Sequence, residues 1–222
     1  MASKFYAVKV GKVKGIFLDW ADCEAQVKGY PGAQYKSFKT LEEAEAYLSS
    51  TPVVPTAVVM PTPVTVPVQN AVSPAVPPYG GAPSNTANAD HLDAYVDGSF
   101  SGSNYGWGFA IYNGNELIHS DCGTGTNADA VSMRNVAGEL AATLRAVQWA
   151  VKNNRKIVIH HDYIGISAWV TGEWKTKNEL TQKYAAYMNR YSNSFTFNKV
   201  KGHSGNVGNN VADKLARKAL GI

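Results

Sequence analysis

In "LDAYVDGSFSG", residues 92–102, the apolar side chains Leu92, Ala94, Val96 and Phe100 suit a strand, yet Asp97 stands among them just before Gly98. Turn residues Gly102, Asn104, Asn113 and Gly114 then separate further apolar stretches, so the pattern predicts strands near 92–99, 105–112 and 115–123 in an antiparallel meander. Next the spacing changes. Val136, Leu140, Leu144, Val147 and Val151 form an apolar stripe at helical intervals and predict a helix over 134–152. "KIVIHHD" reads as a strand whose apolar run ends at Asp162. Helices near 163–171 and 178–191, a strand in "SFTFNKVK", a glycine-rich loop and a helix over 207–220 complete the region. The order βββ-α-β-α-α-β-α implies an α/β fold, a mixed five-stranded sheet with helices on its faces, and in such sheets sites gather at strand ends.

The pattern breaks between residues 51 and 90, which hold nine of the ten prolines and no charge before Asp90. Repeated proline excludes a helix or central strand, so this stretch is expected to be an extended linker. It divides the chain into a module at 1–50, the linker at 51–90, and a larger module at 91–222. Residues 4–48 read as strand, turn, strand, helix, strand, helix, a small α+β unit.

Composition changes this picture little. The chain has 222 residues, 45% hydrophobic and 17% charged, as in an ordinary globular protein. Cys23 and Cys122 match no disulfide or metal framework and suggest a reducing compartment. No apolar segment follows the N-terminus and no run approaches a membrane span, so the expected location is cytoplasmic, without membrane partners. Net charge is +4; residues 91–222 carry fourteen Lys and Arg against ten acids. If several of those acids share one cleft, the remaining surface is basic, as an enzyme acting on a phosphate backbone requires.

Asp97 ends the first strand of the larger module and Asp162 the fourth. Should these strands be parallel neighbours joined by the long helix, their carboxylates lie side by side. Taken singly, Asp97 is an ordinary turn former and Asp162 an ordinary helix cap. Glu139, at the beginning of the long helix, and Asp213, in the last helix, have equally plain readings, the one favoured by the helix dipole and the other paired with Arg217. Together, four acids at one spot repel unless divalent cations lie between them.

The segments "YVDGSF", "AGEL", "HHD" and "VKGHSGNVGNNVADKLA", in this order, resemble the type 1 ribonuclease H domain over residues 91–222. The resemblance implies hydrolysis of the RNA strand of an RNA/DNA hybrid, leaving 3′-hydroxyl and 5′-phosphate ends. It implies Asp97, Glu139, Asp162 and Asp213 as ligands of two Mg²⁺ ions, with Mn²⁺ a possible substitute, and His203 as a loop histidine assisting catalysis. Hard oxygen donors suit such ions, and zinc is not expected. His160 and His161 read as strand-end side chains. Ser99, Asn104, Asn135 and Asn209 fall where the family contacts the hybrid; Val136 and Arg134 depart from its pattern. Residues 4–48, through "YAVKVGKVKGI", "W..C..QVKGYPGA" and "YKSF", resemble the viroplasmin-type hybrid-binding domain. That likeness implies a nucleic-acid surface of Tyr6, Trp20, Tyr35 and Lys36, for RNA/DNA hybrid and in some settings double-stranded RNA. On the plain alternative, Trp20 and Tyr35 are core aromatics. A monomer is expected. A non-catalytic nucleic-acid binding protein and another nuclease of the same fold are the competing functions.

Overall fold

The computed structural model describes residues 4–50, 91–126, 128–201 and 206–222; the linker expected at 51–90 and the loop histidine His203 lie outside them. In the small module, β1 (Phe5–Val10), β2 (Gly15–Phe17) and β3 (Gln34–Phe38) form an antiparallel sheet in the order β2-β1-β3. Asp19 accepts from the Asp22 amide at 2.9 Å and so starts α1 (Trp20–Val27). A Thr40–Glu43 capping box starts α2 (Leu41–Ser49). Alternation along β1 sends Val8 to Phe17, Cys23 and Val27 on the α1 side, while Phe5 and Ala7 join Leu41 and Ala44 under α2.

The larger module holds β4 (His91–Ser101), β5 (Asn104–Asn113), β6 (Glu116–Gly125), α3 (Ala128–Val131), α4 (Asn135–Lys152), β7 (Lys156–His161), α5 (Gly165–Thr171), α6 (Glu179–Arg190), β8 (Phe195–Lys199) and α7 (Val207–Leu220). The expected elements are all present, with strands β4 to β6 running a few residues longer. The one-turn helix α3 carries no sequence signal. Sheet order is β6-β5-β4-β7-β8, antiparallel through β4 and parallel from β4 to β7 to β8. Leu92, Ala94 and Val96 meet Ala137, Leu140, Leu144 and Val147 of α4 in the main core. Each leucine or valine among them, fully buried, contributes about 1.5–3 kcal/mol, and each alanine methyl less. On the other face, α7 lies so close to β5 that a side chain at Gly106 or Gly108 would collide with the α7 backbone at Ala216 or Ala212.

The two modules meet: Ile16 and Leu18 of the small module are buried in the same cluster as Ala137, Leu140 and Leu144 of α4. The first module is seated on the second.

Candidate active site

The last paired residues of the parallel β4–β7 ladder are Tyr95 and His160, so Asp97 and Asp162 each stand two residues beyond the same rung. The crossover that makes the strands parallel also supplies the third acid. Gly98, next to Asp97, has no side chain, and one built there would strike the Asn135 carbonyl and the Glu139 amide; one at Gly138 would strike the Gly106 carbonyl and the Gly98 Cα. This contact of glycine with glycine lets the beginning of α4 lie against β4 and delivers Glu139 to the strand ends. Glu139 is therefore not the exposed first-turn residue of the plain reading: it is 2% exposed.

Its electrostatics follow from that position. Burial, then the charges of Asp162 and Asp97, push the Glu139 carboxyl up to about 9, against a smaller opposing hydrogen bond from the Tyr163 backbone. Oε1 lies 3.5 Å from the side-chain nitrogen Nδ2 of Asn135, and Oε2 is buried with no hydrogen bond of normal geometry, the Tyr163 backbone being only weakly placed to reach the carboxyl. A buried carboxylate oxygen left unpaired costs about 1–3 kcal/mol or more, unless something else satisfies it. Asp97 Oδ1 accepts from the Gly98 amide at 2.7 Å. Asp213 does not contribute to the Glu139 shift; it lies 3.9 Å from Arg217, the i+4 partner expected for a plain helix acid. Among the described residues no group of three His, Cys, Asp or Glu side chains is placed to hold a metal ion. Three of the four acids nevertheless form one electrostatic unit, and the unpaired Glu139 oxygen with its raised pKa fits a site for a divalent cation.

The histidines before Asp162 have structural duties. His160 bonds Asp93 Oδ1 through Nε2 at 2.7 Å, meets Asn198 through Nδ1 at 2.9 Å, and stacks on Tyr95 with ring centres 4.4 Å apart. His161 faces the Tyr163 carbonyl at 3.0 Å, and burial lowers its pKa, favouring the neutral ring. Neither supports a zinc site.

In the small module, Trp20 lies 5.8 Å from the Tyr6 ring and 5.6 Å from the Tyr35 ring. Trp20 and Tyr35 are 41% and 44% exposed, so the core-aromatic alternative fails. Lys36, next to Tyr35 on β3, is exposed on the opposite side of the sheet, with its Nζ 5.6 Å from the centre of the Phe38 ring, so the structure does not bring it onto the platform. The three rings lie on the α1 side of the sheet, a platform of the kind on which sugars and bases stack.

Residues 89–221 match the family model described as RNase H, and residues 4–48 match the model described as Ribonuclease H1 N-terminal domain. The chain belongs to the ribonuclease H family. Ribonuclease H1 of Homo sapiens is 28% identical over 264 residues, covering 96% of this chain and 88% of that protein. Ribonuclease H of Crithidia fasciculata is 54% identical over 52 residues, covering 23% of this chain and 10% of that protein. RNase H1 of Halobacterium salinarum, with a TM-score of 0.50 at 20% identity, covers 59% of this chain and 98% of its own; it is similar in fold.

Of the further hybrid-contacting candidates in this ribonuclease H, Ser99 and Asn104 are half-buried on β4 and β5, beyond Asp97. Asn135 is exposed at the first turn of α4, within reach of Glu139. Asn209 is buried, with its side-chain oxygen unpaired. Sequence reasoning missed Asp22, Tyr105, Arg145 and Lys183, which join the modules. A signal existed for two of them: Arg145 and Lys183 fall within the apolar faces of their helices, where a cation requires a partner.

Proposed function

We propose that this ribonuclease H cuts the RNA strand of RNA/DNA hybrids as an endonuclease, leaving 3′-hydroxyl and 5′-phosphate ends. The observation that carries the reading is the convergence of Asp97, Asp162 and the buried, electrostatically loaded Glu139 at the ends of two parallel strands. Asp97, Glu139 and Asp162, with Asp213 from α7, would hold two Mg²⁺ ions, or Mn²⁺ in their place; when bound they supply Lewis acidity for water attack and for the leaving 3′ oxygen. The chain's own residues do the rest. Glu139 would act as a ligand in its ionised form, its proton released to solvent; the Gly98 amide fixes the Asp97 carboxylate, and Ser99, Asn104, Asn135 and Asn209 line the path of the duplex. Selectivity for a hybrid needs 2′-hydroxyls on one strand and deoxyribose on the other, read across a shallow minor groove by small polar groups. His203 is assigned a share in proton transfer. Tyr6, Trp20 and Tyr35 hold the hybrid through stacking, and Lys36, on the other side of the edge strand β3, reaches phosphate only around that edge.

The test is to offer RNA/DNA hybrid, double-stranded RNA and double-stranded DNA with Mg²⁺. Cleavage confined to the hybrid's RNA is expected. Tight binding without cleavage of any duplex would reduce the protein to a nucleic-acid binder.

A further inference from the structure

The small module has two distinct faces. One is the aromatic platform of Tyr6, Trp20 and Tyr35. The other runs from β2 through the first turn of α1 to the beginning of α2, and it is occupied by the chain's own catalytic module.

The contacts on that second face are specific. The Arg145 guanidinium lies 3.7 Å from the centre of the Phe17 ring, and its Nη1 donates to the Ile16 carbonyl at 3.3 Å. Gln148 donates to the same carbonyl at 2.9 Å, and Lys183 Nζ donates to the Leu18 carbonyl at 2.6 Å. Tyr105 donates its hydroxyl proton to Asp22 Oδ2, a carboxyl whose other oxygen is buried. At the rim, Arg190 pairs with Glu42 at 2.8 Å and with Glu45 at 3.1 Å. Arg145 and Lys183 are both buried, and cations taken out of water are tolerated only where acceptors surround them. Arg145 also donates to Gln148 Oε1 and Lys183 pairs with Glu179, each at 2.8 Å, but the other two of the four acceptors, the Ile16 and Leu18 carbonyls, are backbone of the small module. An accidental apposition of two tethered domains has no reason to aim buried cations at carbonyls.

Position gives the docking its consequence. Tyr105 pairs with Phe100, three residues beyond Asp97 on β4, so the Asp22 contact lies at the active-site end of the sheet. From Asp97 through Tyr105 and Asp22 to Trp20 the path is at most about 30 Å. That is under about ten base pairs of duplex.

We propose that Ile16, Phe17, Leu18 and Asp22, with Glu42 and Glu45, form a protein-docking face whose partner is the α4–α6 surface of the same chain, so that platform and carboxylates grip one short hybrid as a single body. The gripping half rests on the hybrid-cleaving reading above; the docking half does not. Small-angle scattering of the full chain without nucleic acid separates them. Wild type should scatter as one compact particle, and Asp22→Asn, which keeps an acceptor for Tyr105, should match it. Asp22→Lys, which sets a cation against Arg145, should lengthen the maximum dimension by tens of Å, since a 40-residue linker reaches about 35 Å even as a coil. Arg190→Glu, on an exposed side chain, should lengthen it in part, and adding Glu42→Arg with Glu45→Arg should restore it. On a hybrid of about 12 base pairs Asp22→Lys should raise KM several-fold with kcat unchanged, and on one several times longer the loss should shrink because the tethered module still captures the duplex. Wild type as extended as Asp22→Lys, or no rescue of Arg190→Glu, would overturn the docking. A compact wild type whose short-hybrid KM does not respond to Asp22→Lys would overturn the shared grip.

Discussion

Glu139 shows how the fold loads one side chain electrostatically. Its carboxyl is pushed up to about 9, against about 4.3 for an unperturbed glutamate, so the folded state prefers the neutral acid. The group's contribution to stability is thus complete below about pH 4.3 and is lost as pH rises through 9. Thermal unfolding in EDTA should therefore show stability falling between pH 5 and 9, by up to several kcal/mol. Glu139→Gln, an uncharged isostere, should flatten that decline and be more stable than wild type at pH 8. Mg²⁺ should stabilise wild type increasingly as pH rises and leave Glu139→Gln nearly unmoved. Equal pH profiles for the two proteins in EDTA would remove the buried carboxylate from the account. At this scale the sequence was informative about identity and silent about environment. The motif around Glu139 names the residue, but its burial depends on Gly98 and Gly138, distant in sequence and meeting only in the fold. Asp213 is the reverse case: the i+4 pair with Arg217 expected on the plain reading is present.

Elements were the most legible scale because periodicity reports directly on which face is buried. The helix predicted over 134–152 is α4 at Asn135–Lys152, and the final helix coincides with 207–220. The four residues of α3 are too few to show a period. What sequence patterning did not disclose is how closely elements approach. The β4–α4 contact depends on paired glycines, so Gly138→Ala should cost about 1–3 kcal/mol of stability by overpacking and lower kcat more than it raises KM, since it displaces the acid-bearing helix. Denaturant unfolding with steady-state kinetics checks both; an unaltered kcat would mean that α4 has slack. The aromatic platform makes a separate prediction. Trp20→Ala or Tyr35→Ala should weaken hybrid binding by about 1–3 kcal/mol, read by fluorescence anisotropy at fixed salt, with a smaller loss of melting temperature than truncation of a core aromatic, because the two residues are 41% and 44% exposed. A large loss of stability would return them to the core.

For the whole molecule, composition shows a division into modules and says nothing of their reunion. The interface is built from residues some 80 to 165 positions apart, such as Asp22 with Tyr105 and Leu18 with Lys183, and no local pattern joins them. Basic charge over residues 91–222 suits a polyanion, while Asp97, Glu139 and Asp162 gather acids where cations would mediate contact with phosphate. These parts make sense together only if the carboxylates at the ends of β4 and β7 perform the chemistry. The direct measurement is cleavage of a hybrid labelled separately on each strand, by wild type and by Asp97→Asn, with saturating Mg²⁺ and with binding followed in parallel. Wild type should cut the RNA strand alone, while Asp97→Asn should bind the hybrid at least as tightly and cut it at less than about a thousandth of the rate, having lost a ligand and one negative charge facing phosphate. Retention of a tenth of the wild-type rate, or cutting of the DNA strand, would contradict the site.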